Sequence, residues 1–471
     1  MSKVFRIAIF IAFGLFITGF FIKSISFIDP DFGWHYRTGE FIVAHGIPRT
    51  DLYSYTMSDF PYIEHEWLTD VGMYILYQTI GWYGLALVYT IFTLSTLLIL
   101  FQQTRSWISL ISILFTGEIF ILQGGIRDQV IPWLFVALII WICSTRQLWE
   151  HVRYIIPIII MLWVNIHGSF PFGIGITAIY VVVHCIKTRR IDWQDIAVLI
   201  LCGIATLINP YMWQIWEEIW REQFNTSWHW SIQEWQPAFF TASYSFCFFF
   251  PISLVFSWLY QKKFSLFSLV LYGVSLLMAL SITRHIPLWA IIAFLLTTEG
   301  LGYLQKQVLT YSGREKSFHE IYFVLLTITI IGVGFDAWNI PPNLHFTYPK
   351  EAIMYLQTHP VKKHLFAEFD WGGYTIWNLP GVKTFVDGRM PSWQFSTDNP
   401  YESTNAYKEY QDIYLGKESL QFAIRKYDID TILWSNSNNK SNLHNNFIQE
   451  IKKAGFKEIY HDNIAVIYQM Q

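Results

Sequence analysis

Long apolar segments, separated by short polar turns, make up most of this 471-residue chain. A helix needs about 20 apolar residues to cross a bilayer, and the segments repeatedly approach that length. Only 14% of the residues are charged, which excludes an ordinary soluble domain. The net charge of −3 gives no indication of a nucleic-acid partner. We therefore predict an α-helical polytopic membrane protein with about eleven transmembrane helices, near 4–22, 81–101, 107–123, 130–145, 154–167, 169–186, 195–209, 244–260, 264–282, 286–304 and 319–336.

Lysine and arginine are unevenly distributed over the turns between these segments. Every second turn carries most of them: Lys3 and Arg6; Arg105; Arg146 and Arg153; Lys187, Arg189 and Arg190; Lys262 and Lys263; Lys306, Arg314 and Lys316. These turns are cytoplasmic by the positive-inside rule. The pattern predicts a multi-pass membrane protein with a cytoplasmic amino terminus. The first loop, 23–70, and the tail after the last span are then extracytoplasmic.

The tail differs in composition from the rest of the chain. Its apolar runs HLFAEF, VKTFVDG, DTILW and IAVIYQ predict short strands, and segments near 402–414, 417–427 and 441–454 predict helices. Strands alternating with helices are typical of an α/β layer domain. We therefore predict a transmembrane domain, 1–336, and a C-terminal extracytoplasmic α/β domain, 337–471, with PPNL (341–344) as the linker.

The first loop concentrates acids and histidines in a chain that is otherwise largely apolar. Its ionisable residues include Asp29, Asp31, His35, Arg37, Glu40, Glu64, His65, Glu66 and Asp70. Such a concentration beside a membrane is typical of a binding or catalytic site. One aspartate of the DPD sequence could take a proton from an acceptor hydroxyl, or the pair could hold a divalent cation such as Mg or Mn. Asp29 and Asp31 equally fit the capping of a helix that begins near Phe32.

Four later turns on the same predicted side also carry polar or charged residues. They are GGIRDQVIP (Arg127, Asp128, Gln129), WVNIHGSF (Asn165, His167), NPY (Asn209) and SITRHIP (Arg284, His285). Because guanidinium groups bind phosphate bidentately, Arg127 and Arg284, with His285, are predicted to hold a phosphate. Structural alternatives are an ion pair between Arg127 and Asp128, a headgroup contact for Arg284, and hydrogen bonds from Asn165 to helix-end carbonyls.

With these residues the chain resembles the GT-C superfamily of glycosyltransferases, which includes oligosaccharyltransferases, protein O-mannosyltransferases and aminoarabinose transferases. These polytopic enzymes use polyprenyl-phosphate-linked sugars and carry an acidic motif in the first extracytoplasmic loop, where this chain has Asp29-Pro30-Asp31. The motifs DPDFGWH, HGIP, HEWL, NIHG and TRHIP, within residues 29–287, also resemble those of a bacterial membrane family. The chain lacks the W-W-D-x-G motif of oligosaccharyltransferases.

The resemblance implies a GT-C-like fold and a hexosyl- or pentosyltransferase. Such an enzyme moves a sugar from a polyprenyl-phosphate-linked donor in the lipid bilayer to an extracytoplasmic glycan, lipid or protein acceptor. The catalytic aspartate would be Asp29 or Asp31. The predicted substrate-binding residues are His35, Arg37, His65, Glu66, Arg127, Asn165, His167, Arg284 and His285. The residues also allow an O-antigen polymerase or ligase, a transporter, or a non-catalytic scaffold.

Overall fold

The computed structural model of the protein describes residues 3–224, 228–312, 315–339, 348–396, 398–436 and 442–470. The PPNL segment predicted as a linker lies outside these residues. The helices are α1 Lys3–Ser26, α2 Phe32–His45, α3 Trp67–Thr104, α4 Leu110–Gln123, α5 Val130–Ile142, α6 Arg146–Val152, α7 Ile155–Trp163, α8 Phe170–Thr188, α9 Trp193–Ala205, α10 Gln214–Phe224, α11 Ala238–Thr241, α12 Tyr244–Leu259, α13 Leu266–Ser281, α14 Ile286–Ser312, α15 Glu315–Asn339, α16 Lys350–Thr358, α17 Gly372–Asn378, α18 Ala406–Tyr414, α19 Leu420–Tyr427 and α20 Asn442–Lys453. The strands are β1 His364–Ala367, β2 Ile429–Ser435, β3 Phe456–His461 and β4 Ala465–Met470.

The chain divides into two compact units, each built from several segments. The membrane unit contains Met1–Phe27, Ile80–Trp213 and His229–Leu344. The loop–tail unit contains Ile28–Thr79, Gln214–Trp228 and His345–Gln471. The first loop and the tail therefore belong to the same compact unit, although they are far apart in sequence.

Apolar helices account for the membrane unit. Every predicted span overlaps a helix. Among the described residues, five stretches have the length and composition of a membrane span: Ile7–Ser26, Trp67–Thr104, Phe170–Thr188, Thr283–Thr310 and Ser317–Asp336. The bent pair α5 and α6, with 115° between its helices, would make a sixth, and other apolar helices are shorter. The predicted multi-pass helical class is confirmed.

Helix α14 lies at the centre of the membrane unit. It packs against α4, α12, α13 and α15. Within the apolar stretch Thr283–Thr310, which contains most of α14, 78% of the most apolar part is buried. The corresponding shares are 28% for Ile7–Ser26 and 22% for Ser317–Asp336. Apolar surface that remains exposed on a helix of spanning length is suited to contact with lipid. We therefore interpret α1 and α15 as peripheral, lipid-facing helices and α14 as the core.

Helix α3 is interrupted at Gly81. The backbone there has φ 69° and ψ −174°, a left-handed φ that glycine adopts without the steric cost of a side chain. The segment before the break contains the end of the first loop, and the segment after it begins where the sequence predicts a span, at residue 81. The HEWL block thus leads into a helix that belongs to the loop–tail unit before the chain enters the membrane.

A four-stranded sheet with the order β1-β2-β4-β3 organises the tail. β1 pairs with β2 in parallel, and the β2–β4 and β4–β3 pairs are antiparallel. The core against this sheet is apolar and includes Ile353 and Leu356 of α16, Leu365 of β1 and Leu433 of β2. The predicted α/β tail is confirmed, and the three predicted helices correspond to α18, α19 and α20.

One predicted strand of the tail is wrong, and one strand was missed. VKTFVDG (382–388) forms no extended strand; instead Thr384 makes an isolated parallel bridge to Ser54 of the first loop. The amide of Thr384 donates to the carbonyl of Tyr53 at 2.8 Å, so its partner is not a tail strand. The missed strand, β3, has the largely exposed pattern of an edge strand and therefore lacks a strong apolar run.

Two glycines bring α2 of the first loop close to α17 of the tail. A Cβ added at Gly33 would lie 1.9 Å from the carbonyl oxygen of Gly373, and a Cβ at Gly373 would lie 2.0 Å from that of Pro30. Both distances are too short for any side chain. The backbones can therefore pack this closely only because neither residue carries a side chain.

A buried guanidinium also joins the first loop to the tail. Arg389 donates to Asp387 of the tail at 2.7 and 2.8 Å, and its Nη2 lies 2.8 Å from Asp51 of the first loop. The rings of Tyr62 and Trp393 lie 5.0 and 5.2 Å from its central carbon. A charge that is only 9% exposed needs such partners, because an unpaired buried charge is very costly. The DGR sequence thus has a structural role within the unit.

Candidate functional site

The DPD sequence forms the turn that leads into α2. Asp29 is buried, and its Oδ1 accepts the backbone N–H of Asp31 at 2.9 Å. Asp31 precedes the first residue of α2, but its side chain makes no capping hydrogen bond. Instead, Oδ1 of Asp31 accepts the indole N–H of Trp34 at 3.0 Å. Asp29 therefore stabilises the turn, whereas Asp31 holds a partly exposed carboxylate in a fixed position.

Gly388 makes room for the Asp31 carboxylate. A Cβ at this position would lie 2.0 Å from Oδ1 of Asp31. The Asp387-Gly388-Arg389 turn of the tail therefore passes directly beside the aspartate, and a larger residue would displace it. The structure thus places this turn of the tail next to a predicted catalytic residue.

His35 is the centre of a buried histidine–carboxylate group. Its Nδ1 lies 2.6 Å from Oδ1 of Asp70, and its Nε2 lies 3.7 Å from Oε2 of Glu66. His35 is 3% exposed and Asp70 is fully buried. An Nδ1–H donated to Asp70 leaves Nε2 as the nitrogen that can accept a proton. Asp70 is not among the predicted site residues. It follows Glu66 by one helical turn, and this spacing, which places both on one face, could have indicated it.

His65 and Glu66 have neighbours from a second segment of the loop–tail unit. Nε2 of His65 lies 3.4 Å from Oε1 of Glu66. Burial alone would lower the pKa of His65, but the carboxylates of Glu222 and Glu66 outweigh it and hold the pKa well above its usual value. Glu218 and Glu222 belong to α10, which the sequence analysis did not connect with the first loop.

Glu64 makes hydrogen bonds inside the first loop. It accepts the backbone N–H of Glu66 at 3.1 Å and the hydroxyl of Tyr62. Burial raises the pKa of the Glu64 carboxyl.

Arg37, which the sequence predicts to bind substrate, instead contacts protein groups. It donates to Glu40 at 2.6 Å and to the carbonyl oxygen of Trp377 at the end of α17. These contacts suit a residue that anchors α2 to α17.

In the membrane unit, two of the predicted arginines converge on Glu234. Nη2 of Arg127 lies 2.7 Å from Oε2 of Glu234, and Nη1 of Arg284 lies 3.6 Å from Oε1. Glu234 belongs to a 3-10 turn, Gln233–Trp235, that the sequence analysis did not select. Burial would raise the pKa of this carboxyl, but the two guanidinium groups outweigh burial and lower it. Glu234 is therefore an ionised partner of both arginines.

Asp128 and His167 extend this arginine group. Oδ2 of Asp128 lies 2.9 Å from Nε2 of His167 and 3.6 Å from Nη2 of Arg284. The backbone N–H of Ser169 donates to Nδ1 of His167 at 2.9 Å. Because Nδ1 accepts a hydrogen bond, the neutral ring carries its proton on Nε2, the nitrogen that faces the Asp128 carboxylate. Three of the four predicted outer turns are thus joined by direct contacts.

Asn165 and His285 make contacts of a more structural kind. The side-chain amide of Asn165 donates to the carbonyls of Met161 and Ile208, at 2.7 and 2.9 Å. Both carbonyls lie near helix ends, as the structural alternative predicts. Nδ1 of His285 lies 3.4 Å from the carbonyl oxygen of Met278, at the end of α13.

A cation held by the Asp29 and Asp31 carboxylates, which are ligands that Mg²⁺ prefers, stays a prediction. Among the described residues, neither Asp29 nor Asp31 belongs to a group of three possible metal ligands. One oxygen of each is already engaged, that of Asp29 by a backbone amide and that of Asp31 by an indole. The loop–tail unit does bring three possible ligands together elsewhere, namely His65, Glu218 and Glu222, whose ligand atoms lie within 4.8 Å of one another.

No protein-family model matches the chain, and comparison with curated proteins gives no significant match. Solved structures do resemble it. The archaeal oligosaccharyltransferase AglB from Archaeoglobus fulgidus, in complex with an inhibitory peptide and a dolichol-phosphate, gives a TM-score of 0.61 at 9% identity over 92% of this chain and 70% of that chain. ArnT from Cupriavidus metallidurans, bound to undecaprenyl phosphate, gives 0.52 at 12% identity over 99% of this chain and 98% of that chain. The same oligosaccharyltransferase in its apo form gives 0.60 at 11% identity, over 90% of this chain and 69% of that one.

These likenesses establish the architecture of the chain. At 9% and 12% identity, they show a shared fold and no more. The predicted GT-C-like fold, with its helical membrane part and small C-terminal sheet, is therefore confirmed.

Proposed function

We propose that this protein is a membrane glycosyltransferase that moves a sugar from a polyprenyl-phosphate-linked donor to an extracytoplasmic acceptor. The observation that carries the proposal is the likeness to ArnT bound to undecaprenyl phosphate, because it leaves almost no part of either chain unmatched. The likeness to AglB holding a dolichol-phosphate supports the same class of lipid carrier. Exposed apolar helices such as α1 and α15 would keep the protein in the bilayer that contains such a carrier.

The proposal places the chemistry outside the cytoplasm of a bacterial cell. The basic turns, including Arg146 and Lys187, support a cytoplasmic location for every second turn and for the amino terminus. The first loop, the turn after α4 and the tail then lie on the extracytoplasmic side. The ionisable groups described above all belong to these segments or to other outward-facing turns.

An aspartate of the first loop would act as the general base. Asp31 suits this role better than Asp29, because it remains partly exposed while Asp29 is buried and stabilises the turn. The carboxylate accepts the proton of the acceptor hydroxyl, and the acceptor oxygen forms a bond to the anomeric carbon. The bond from that carbon to the phosphate oxygen breaks, and the polyprenyl phosphate leaves with the electron pair. A single displacement of this kind inverts the anomeric configuration.

The arginines of the membrane unit would stabilise the departing phosphate. When the sugar leaves, the phosphodiester becomes a monoester and gains negative charge, which fixed guanidinium groups stabilise. Arg127 and Arg284 already converge on one carboxylate, that of Glu234. A guanidinium group that pairs with a carboxylate can also pair with phosphate oxygens. We therefore assign Glu234 as the internal anion that occupies both arginines in the absence of substrate.

His35, Glu66 and Asp70 would shape the acceptor pocket. The short contact between His35 and Asp70 fixes the orientation of the imidazole, whose Nε2 faces Glu66. No step of this reaction is routed through a metal. The proposal identifies neither the sugar nor the acceptor.

Transfer from defined donors tests the proposal. Membrane vesicles that contain the protein are incubated with undecaprenyl-phosphate-linked hexoses and pentoses carrying a radioactive sugar, and the loss of lipid-linked label is followed. We expect loss with at least one donor, with release of undecaprenyl phosphate, and none in vesicles without the protein. Equal retention of every lipid-linked sugar in both preparations would contradict the proposal.

A further inference from the structure

Three potential metal ligands meet in the loop–tail unit, away from the DPD sequence. His65 lies just before α3, and Glu218 and Glu222 lie on α10, more than 150 residues later in the chain. Residues four apart on a helix share one face, so both glutamates point the same way. One ligand atom from each of the three residues lies within 4.8 Å of the others.

The surroundings of the group suit a bound cation. Glu218 is 3% exposed, whereas His65 and Glu222 are partly exposed, so one side of the group is open to solvent. The Arg221 guanidinium pairs with Glu218 and lies 4.8 Å over the Phe60 ring. This contact fixes the orientation of the Glu218 carboxylate, as hydrogen-bond partners commonly do for metal ligands.

We propose that His65, Glu218 and Glu222 form a Zn²⁺ site that joins α10 to the first loop. One imidazole nitrogen and two carboxylate oxygens match the ligands of zinc, whereas magnesium and calcium prefer oxygen ligands alone. Bonds of about 2.1 Å in a tetrahedral site place neighbouring ligand atoms about 3.4 Å apart. The ligand atoms of the three residues lie within 4.8 Å of one another, and rotation of the side chains can bring them to this shorter distance. Glu66, whose Oε1 lies 3.4 Å from Nε2 of His65, or a water molecule, would supply the fourth ligand.

The site does not depend on the proposed glycosyltransferase reaction. In the proposed zinc site, His65 has a structural role and not the role in substrate binding that the sequence predicts. Its physical rival is a metal-free ion pair, in which protonated His65 faces the carboxylates of Glu222 and Glu66. The two arrangements differ in one measurable property, because only the first binds zinc.

Zinc binding to the purified full-length protein tests the site. The protein is treated with EDTA in detergent, and its affinity for Zn²⁺ is measured by competition with a fluorescent chelator. We expect His65→Gln and Glu222→Gln to weaken the tightest binding by at least about tenfold. Glu217→Gln is the matched control, because Glu217 lies on the exposed face of the same helix. It should bind zinc as the wild type does.

Two further readouts keep the test independent of folding. Cobalt should give a d–d absorption spectrum of tetrahedral intensity in the wild type and in Glu217→Gln, but not in His65→Gln. Zinc should raise the unfolding temperature of the same two proteins only, since a ligand that binds the folded state stabilises it. Absence of zinc binding by the wild type, or unchanged affinity in both His65→Gln and Glu222→Gln, would overturn the proposal.

Discussion

The loop–tail unit and the membrane unit each hold a group of ionisable residues, and the two groups differ in the charge they contribute. The loop–tail group is acidic and contains a buried histidine: Asp29, Asp31, His35, Glu66 and Asp70. The membrane group contains two arginines that share a carboxylate: Arg127, Asp128, His167, Glu234 and Arg284. An acidic group with a histidine is suited to proton transfer, and a group with paired arginines is suited to binding an anion.

This difference matters for a sugar transfer from a lipid phosphate. The reaction needs a base for the acceptor hydroxyl and a stabilising charge for the phosphate that departs. The chain supplies the two kinds of chemistry from separate segments, one group in each unit. Mutations in the two groups should therefore have distinguishable effects on proton transfer, phosphate binding and stability.

The largest effect is expected from removal of the proposed base. Asp31→Asn keeps the size and one acceptor oxygen but cannot take up a proton at neutral pH. Loss of a general base typically costs about 10²–10⁴-fold in rate. Initial rates of sugar transfer in membrane vesicles would measure the loss. Asp59→Asn, an exposed aspartate of the same loop, is the control and should retain the wild-type rate. A full rate in Asp31→Asn would remove it from the mechanism.

Removal of an arginine should have the next largest effect. Arg284→Ala deletes a guanidinium that faces Glu234 and Asp128. Loss of one group that stabilises developing negative charge costs about 10²–10³-fold in rate. The same assay, with the donor concentration varied, would show the loss. Arg105→Ala, in a predicted cytoplasmic turn, should leave the rate unchanged. Equal rates in the two variants would contradict the phosphate role.

The close contact between α2 and α17 gives a stability test. Gly33→Ala would place a Cβ 1.9 Å from a backbone oxygen, so the helices must move apart. Overpacking of this kind costs about 1–3 kcal/mol of unfolding free energy. Gly72→Ala, in α3 with open space around it, should instead be neutral or slightly stabilising. Thermal unfolding in detergent would measure both changes, and a lower unfolding temperature for Gly72→Ala alone would refute the packing account.

The smallest effects should be opposite pH dependences at two glutamates. The pKa of Glu234 is lowered by its arginines, so its stabilising contribution is present above the unfolded-state pKa and is lost as the pH falls through the folded pKa. The pKa of Glu64 is raised by burial, so its ionisation costs stability once the pH exceeds the unfolded-state pKa.

The matched glutamine variants should show this contrast. Relative to the wild type, Glu234→Gln should be less stable at about pH 7 than at about pH 4, and Glu64→Gln should be more stable at about pH 7 than at about pH 4. Unfolding temperatures at the two pH values would provide the comparison. The same sign of change in both variants would contradict the opposite environments of the two carboxyls.

The sequence identified the features that depend on local pattern. The apolar segments, the α/β tail and the concentration of acids near Asp31 could all be predicted, because hydropathy and periodicity act over a few residues. Glu234 could not be selected, since its partner Arg127 is 107 positions away in the chain. The segment around Thr384 resembles a strand but pairs with the first loop, a contact that no local pattern in the tail indicates.

Binding of undecaprenyl phosphate by two variants tests the division between the groups most directly. The lipid phosphate carries no sugar, so its affinity reports on the phosphate contacts alone. We predict that Asp31→Asn binds it with wild-type affinity although it transfers sugar about 10²–10⁴-fold more slowly, and that Arg284→Ala binds it clearly more weakly. Wild-type affinity in Arg284→Ala, or an equal loss of affinity in both variants, would contradict the account.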